Sequence, residues 1–338
     1  MKPKSSIMDG IVVPALTLFT REYKVDLDAQ ILLTRHVLVN GADVLFLCGS
    51  TGEGQWLQRE RPAERAGLLK AAKKAMDEAE RRVPVIFGIY GNATKEVIAQ
   101  YQEMLRVQKA EKAAIIDGFV ISPPLSKKLP DAELEQYLAE ITAAIPEPVF
   151  YYNNPATFGG NSISVPVYEA LIGRFPNVAG IKDSSGSMEY RYGVLDMLER
   201  YPAMAFYTGS EGDYFKCLEK RSPAESSRIG SIPSISNVLN IPAKIRAAYM
   251  KGDVAGARQL QDGLNGIRNR IYHEPATRGK AQRGTKFALA CLYPGTALDK
   301  DIVVIPDYVK EMAPDARKLI KEAVDEALAR GFVDKCKP

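Results

Sequence analysis

Lys182 closes an apolar run. It ends Val178-Ala-Gly-Ile-Lys182 and is followed by the small-residue turn Asp183-Ser-Ser-Gly186. A lysine ordinarily keeps its ammonium in water and packs only its stem. At the carboxyl end of a central strand the amine is carried inside, where desolvation disfavours its charged form and exposes a nucleophile. An ordinary strand-end lysine is the competing reading. Tyr152 ends a second apolar run, Pro148-Val-Phe-Tyr-Tyr152. Beside an amine, its weakly acidic hydroxyl can relay protons while the amine condenses with a carbonyl. Alone, a strand tyrosine is packing, as expected of Tyr151 on the opposite face. A third stretch, Gly49-Ser-Thr-Gly-Glu-Gly54, can turn backbone N–H groups and the hydroxyls of Ser50 and Thr51 toward one point, which suits a small carboxylate. It lacks the Gly-Lys-Ser/Thr ending of a nucleotide phosphate loop. A plain glycine-rich turn between strand and helix is its other reading. Asp183, one residue past the lysine, points to the opposite face by strand alternation and is expected to be structural.

Elements able to position these groups recur along the chain. Strands are expected at Ile11 to Phe19, Asp43 to Cys48, Val83 to Ile89, Gly118 to Ile121, Pro148 to Tyr152, Val178 to Lys182, Ala205 to Thr208 and Arg228 to Ile232. Helices alternate with them, opened by Asp26 or Asp28, then spanning Gln58 to Arg82, Ala93 to Lys112, Asp131 (as cap) to Ile145, Val165 to Arg174, Met188 to Arg200 and Tyr214 to Lys220. Runs apolar on both faces mark a parallel sheet covered by helices. Eight such repeats predict a (β/α)8 TIM barrel, a fold of about 250 residues. The barrel is expected over residues 8–235. A helical extension follows over 236–338, with only a weak strand pattern at Ile302 to Ile305 and a frayed tail from Asp334. A doubly wound open sheet is the alternative, but Leu16-Thr-Leu-Phe-Thr20 carries no glycine fingerprint. In a barrel the chemistry lies at the carboxyl ends of the strands. Those ends present Ser50 and Thr51, Tyr152, Lys182 and Ser184, Gly209 and Glu211, and Ser234.

Composition narrows the functional classes. The 338 residues are 46% hydrophobic and 25% charged, as in a globular protein. The 45 basic and 41 acidic residues are dispersed, giving +4 and no clustered basic face for nucleic acid. Cys48, Cys217, Cys291 and Cys336 are scattered, which fits reduced thiols and a cytoplasmic location better than a disulfide framework or a zinc site. There are two histidines. His36 lies in a helical run and is expected to be structural, and His273 is expected at a helix end, so a histidine triad or metal cluster is not expected. No signal peptide or membrane span is expected either, because Ile11-Val-Val-Pro-Ala-Leu16 is short and broken by Pro14.

Three motifs in order resemble one family. Gly49-Ser-Thr-Gly-Glu53, Tyr152-Asn-Asn-Pro155 and Gly180-Ile-Lys-Asp183 are similar to the signatures of the dihydrodipicolinate synthase / N-acetylneuraminate lyase family of class I aldolases. The resemblance extends to Gly209-Ser-Glu211 and Gly230-Ser-Ile-Pro-Ser234 and covers roughly residues 8 to 310. It implies that Lys182 forms a Schiff base with pyruvate or another 2-oxo acid, and that Tyr152 shuttles protons. It implies also that Ser50 and Thr51 hold the carboxylate, that the carbonyl of Ile232 faces pyruvate, that no metal or organic cofactor is needed, and that the chain forms a homotetramer, often a dimer of dimers. Departures shape the substrate expectation. The synthase branch carries an arginine where this chain has Thr157, and a tyrosine where it has Leu125 in Ser122-Pro-Pro-Leu125; the change at Leu125 departs from the sugar-acid lyases as well and keeps a non-turnover binder open. The Ser184, Glu211 and Ser234 set looks more like the sugar-acid lyases, although Gly212 stands where an acidic residue is often seen. The expected activity is cleavage of a 2-oxo-3-deoxy sugar acid to pyruvate and an aldehyde, or dehydration through the same imine. The alternatives are dihydrodipicolinate synthesis and a barrel that binds a 2-oxo acid without turnover.

Overall fold

Eight strands run parallel, each hydrogen-bonded to the next in chain order: β1 (Val12–Pro14), β2 (Val44–Leu47), β3 (Val85–Gly88), β4 (Ile116–Ile121), β5 (Val149–Asn153), β6 (Val178–Asp183), β7 (Ala205–Thr208) and β8 (Ile229–Ser231). A parallel bridge between Ile11 and Ser231 returns β8 to β1 and closes the sheet. The structure is a computed structural model and describes residues 10–58, 61–112, 114–272, 279–300, 302–308 and 311–337. It is the expected TIM barrel with C-terminal helices; His273 lies outside the described residues.

The alternation that predicted the strands also sorts their side chains. Val44 and Phe46 of β2 and Phe150 and Tyr152 of β5 fill the barrel interior. Leu45 and Leu47, with Val149 and Tyr151, face the helix layer. Period two in a strand sends neighbours to opposite faces. Tyr151 is packed as expected, its hydroxyl 2.9 Å from that of Thr142.

The helix layer comprises α1 (Leu27–Val39), α2 (Gly54–Leu57), α3 (Pro62–Glu78), α4 (Thr94–Ala110), α5 (Asp131–Ala144), α6 (Val165–Arg174), α7 (Met188–Leu198), α8 (Tyr214–Leu218) and α9 (Ile241–Met250). Asp26 caps α1, accepting the Ala29 N–H. Beyond α9 come α10 (Val254–Ile271), α11 (Lys280–Leu292) and α12 (Pro314–Ala329). None of the described helices is long and apolar enough to cross a membrane.

Several local expectations are corrected. The first strand stops at Pro14, because the Asn237 side chain takes over the backbone beyond it. Its Oδ1 accepts the Leu16 N–H and its Nδ2 donates to the Pro14 carbonyl. The helix expected from Gln58, with Pro62 in its first turn, keeps Pro62 in that turn but starts at it, four residues later, and ends at Glu78. Asp131 is the first residue of α5 rather than its cap, and its carboxylate accepts the Ser164 hydroxyl at 2.6 Å. No strand forms at 302–305; the Val303 carbonyl instead accepts the Lys286 amine at 2.7 Å. The tail is not frayed at its start. The Asp334 N–H donates to Asn40 Oδ1 and the Cys336 N–H to the Tyr293 hydroxyl.

His36 is structural, as expected. Its ring nitrogens meet the Tyr293 hydroxyl at 2.8 Å and the Val238 carbonyl at 3.2 Å. Burial lowers its pKa to about 4, so it stays neutral near pH 7.

Candidate active site

Lys182 and Tyr152 sit side by side because β5 and β6 pair in register, with these two residues as partners. The Lys182 side chain is almost fully buried, at 4% exposure. Its Nζ lies 3.8 Å from the centre of the Tyr152 ring and 5.1 Å from that of Phe46. Burial pulls the amine pKa below its ordinary value, against the opposing pull of Tyr152, Glu211 and Asp183. Burial pushes the Tyr152 hydroxyl up, yet Lys182 and hydrogen bonds from Ser50, Asn154 and Ser184 bring it below its ordinary value. The Tyr152 oxygen accepts from Ser50 Oγ at 3.3 Å and Asn154 Nδ2 at 3.0 Å. Two donors on a phenol oxygen favour its ionised form. The pair is placed to exchange a proton.

The Gly49 to Gly54 loop reaches this pair through Ser50. Among the described residues, the backbone N–H groups of Ser50, Thr51 and Gly52 have no acceptor. Successive N–H groups of this kind form a concavity for an anion. The loop returns tightly onto its own strand. A Cβ on Gly54 would come within 1.8 Å of the Cys48 carbonyl oxygen, so only glycine fits there. Thr51 Oγ1 lies 2.7 Å from Ser234 Oγ, which joins the loop after β2 to the one after β8.

The remaining expected residues lie on the same rim. Ile232 is buried in the barrel interior just past β8. The Gly209 N–H donates to the Asp183 carbonyl at 2.6 Å, and Ser184 joins the same rim through its N–H to the Asn153 carbonyl. Glu211 is buried, and burial raises its pKa despite Arg268, Tyr272 and Ser234. Its Oε2 accepts the Ser234 N–H at 3.0 Å and its Oε1 the Tyr272 hydroxyl at 2.7 Å. Asp183 turns away from the barrel axis, as expected. It accepts from Asn153 Nδ2 at 2.8 Å and pairs with Arg191 at 2.9 Å, both ions fully buried.

Some participants escaped the sequence reading. Asn154 was in plain view within the tyrosine motif, and an amide two residues past the strand end could have been tied to the phenol. Tyr90 was not singled out. It stacks on Phe158, which in turn meets Tyr152 edge-on, and its buried hydroxyl has no partner among the described residues. Leu125 packs beside the same apolar wall. The helices after β8 brace the site. Gln282 of α11 donates to the Ser50 carbonyl at 3.1 Å, and Lys286 pairs with Glu53 at 3.1 Å in full burial.

Glu53 carries a testable pH signature. Burial raises its pKa from the ordinary 4.5 to about 7, with Lys286 only partly offsetting it. The folded state therefore holds this proton more tightly than the unfolded chain, so Glu53 makes stability fall as pH rises from about 4.5 to 7. Glu211 acts in the same direction. Glu53→Gln is expected to flatten that decline in denaturation midpoints measured at pH 5 and 7. An unchanged slope contradicts the assignment.

The sequence matches the dihydrodipicolinate synthetase family over residues 7–298. YagE of Escherichia coli (strain K12), which carries the provisional name of a 2-dehydro-3-deoxy-D-gluconate aldolase, is 28% identical over 257 residues, 75% of this chain and 78% of that protein. A 4-hydroxy-tetrahydrodipicolinate synthase of Synechococcus sp. (strain CC9605) is 30% identical over 259 residues, 75% of this chain and 77% of the relative. The crystal structure of YagE from E. coli K12 in complex with pyruvate shares the fold, with a TM-score of 0.79 at 23% identity over 95% of this chain and 98% of that one. With a matching profile across most of its length and these relatives, the chain belongs to the dihydrodipicolinate synthetase family, whose members are aldolases and lyases.

Proposed function

We propose that this enzyme is a Schiff-base aldolase that cleaves a 2-oxo-3-deoxy sugar acid to pyruvate and an aldehyde, reversibly. One observation supports this above the rest: a buried lysine amine lies 3.8 Å from the ring of a tyrosine whose oxygen accepts two hydrogen bonds. Lys182 attacks the C2 ketone, and loss of water leaves an iminium. Tyr152, as phenolate, takes the proton of the C4 hydroxyl. The C3–C4 electron pair flows into the iminium and the aldehyde leaves. The resulting enamine takes a proton at C3, and water then releases pyruvate from Lys182. The free N–H groups at Ser50 and Thr51 hold the C1 carboxylate, and the carbonyl of Ile232 faces the pyruvate portion. Ser184, Gly209, Glu211 and Ser234 form the rim along which the rest of the chain lies.

The pyruvate complex of YagE and that protein's name support the pyruvate portion and the sugar-acid class. Synthases among the relatives keep dihydrodipicolinate synthesis as the second reading. Thr157, in place of the arginine of that branch, favours the sugar acids, whereas Leu125 departs from the synthases and the sugar-acid lyases alike. A homotetrameric assembly is proposed with the function, and sedimentation velocity would read it directly. The activity itself is tested by pyruvate release from a panel of 2-oxo-3-deoxy sugar acids. Release from one or more supports the reading. Release from none, together with consumption of pyruvate and aspartate semialdehyde, replaces it with the synthase.

A further inference from the structure

Where the C-terminal helices meet the barrel mouth, a cavity of about 420 Å³ opens. It shares Gly209, Glu211 and Ser234 with the site around Lys182, and its outer wall is the end of α10, with Asn265, Arg268 and Asn269. The spacing i, i+3, i+4 puts these three on one helix face. Gly212 makes room for the arginine. A Cβ there would come within 2.6 Å of Arg268 Nη1.

The charged groups of this cavity differ in what they have left to offer. Asp213 is held by Arg191 and by Lys216, each at 3.1 Å. Both oxygens of Glu211 are taken, by the Tyr272 hydroxyl and the Ser234 N–H. Arg268 Nε lies 3.6 Å from Glu211 Oε1, an ion-pair distance beyond hydrogen-bond reach, and that Nε has no acceptor among the described residues. Its guanidinium leans toward the Tyr272 ring at 5.6 Å. Arg268 thus lines the cavity with a planar guanidinium whose Nε has no acceptor among the described residues, and the guanidinium fork has the geometry that a carboxylate fits with two parallel bonds.

We propose that this cavity receives a second acid group at the far end of the substrate chain, and that Arg268 is its partner. The preferred substrate is then a 2-oxo acid ending in a carboxylate rather than in a neutral hydroxymethyl group. This rests on the reading of Lys182 as the imine-forming amine. A neutral chain end would meet Glu211 with both oxygens engaged and leave the Arg268 donors to water, whereas a carboxylate uses the fork directly. Arg268 also enters beside β7 and β8, a direction unrelated to the loop after β5, where Thr157 stands in place of an arginine.

The test is reductive trapping on Lys182 at rising concentrations of 2-oxo diacids of five, six and seven carbons, each against the 2-oxo monoacid of equal length. In the unaltered protein at least one diacid is expected to reach half-maximal trapping at about 10-fold lower concentration than its monoacid. Arg268→Gln is expected to abolish that preference while leaving pyruvate trapping unchanged, and Arg268→Lys to retain part of it, since the charge remains without the fork. Equal trapping of every diacid and monoacid pair by the unaltered protein overturns the inference and leaves the Lys182 reading standing. So does a loss of pyruvate trapping in Arg268→Gln, which would make the arginine a structural brace. No adduct with any acid, pyruvate included, overturns the Lys182 reading and this inference with it.

Discussion

Lys182→Met is expected to lower pyruvate release by at least about 10⁴-fold, the scale of loss when a nucleophile is removed. The fold should survive. The amine is nearly fully buried and its pKa is already depressed by that burial. Exchange for an apolar chain of similar volume removes an amine whose burial without a paired carboxylate is costly. The thermal midpoint of the variant should therefore equal or exceed that of the parent. Tyr152→Phe is a milder companion. It keeps the ring beneath the amine and removes the proton carrier, for an expected loss of about 10²- to 10⁴-fold. A variant that loses activity only because its midpoint falls would contradict the chemical role.

Arg191→Met should show the opposite pattern, with stability lost first. Arg191 has no exposed surface and joins the end of β6 to the segment after β7: its Nε meets Asp183, its Nη1 Asp213 and its Nη2 the Ser210 hydroxyl at 2.7 Å. Its removal strands Asp183, which is fully buried, with only neutral donors from Asn153 and Ser185. Leaving one member of a buried ion pair alone costs about 3–5 kcal/mol. Chemical denaturation should show a loss of that size, and a double variant with Asp183→Asn should recover part of it, because the orphaned charge is then gone. A loss below about 1 kcal/mol, typical of an exposed pair, would mean that the network carries little of the fold. Asp183 directly follows Lys182 in β6, so the same network fixes the strand end that presents the amine.

These two residues also show what could be read from the chain and what could not. Lys182 and Tyr152 were legible because each closes an apolar run, and the period of the strands places such ends on one rim. Asp183 was legible by the same alternation. Its partner Arg191 was not, since a buried arginine in a helix looks like any surface arginine until the packing is known. Glu53 and Lys286 are 233 positions apart, and Asn237 replaces strand hydrogen bonds 223 positions away. No local pattern announces such pairs. Arg268, Asn265 and Asn269 were hidden similarly, in a helix whose polar face reads as solvated until β7 and β8 are set against it. The limits of β1 and α3 were not legible because an apolar run continues past Pro14, where the Asn237 amide ends the strand, and the helix formers Gln58 to Arg61 precede Pro62, where the proline starts the helix.

The central claim is that the Lys182 amine forms an imine with a 2-oxo acid. Borohydride reduction in the presence of pyruvate, followed by peptide mass mapping, tests it most directly. A stable pyruvate-derived mass increment on the peptide holding Lys182, absent from Lys182→Met, is the predicted result. Reduction that leaves Lys182 unmodified, or that labels another lysine equally well in both proteins, would contradict it.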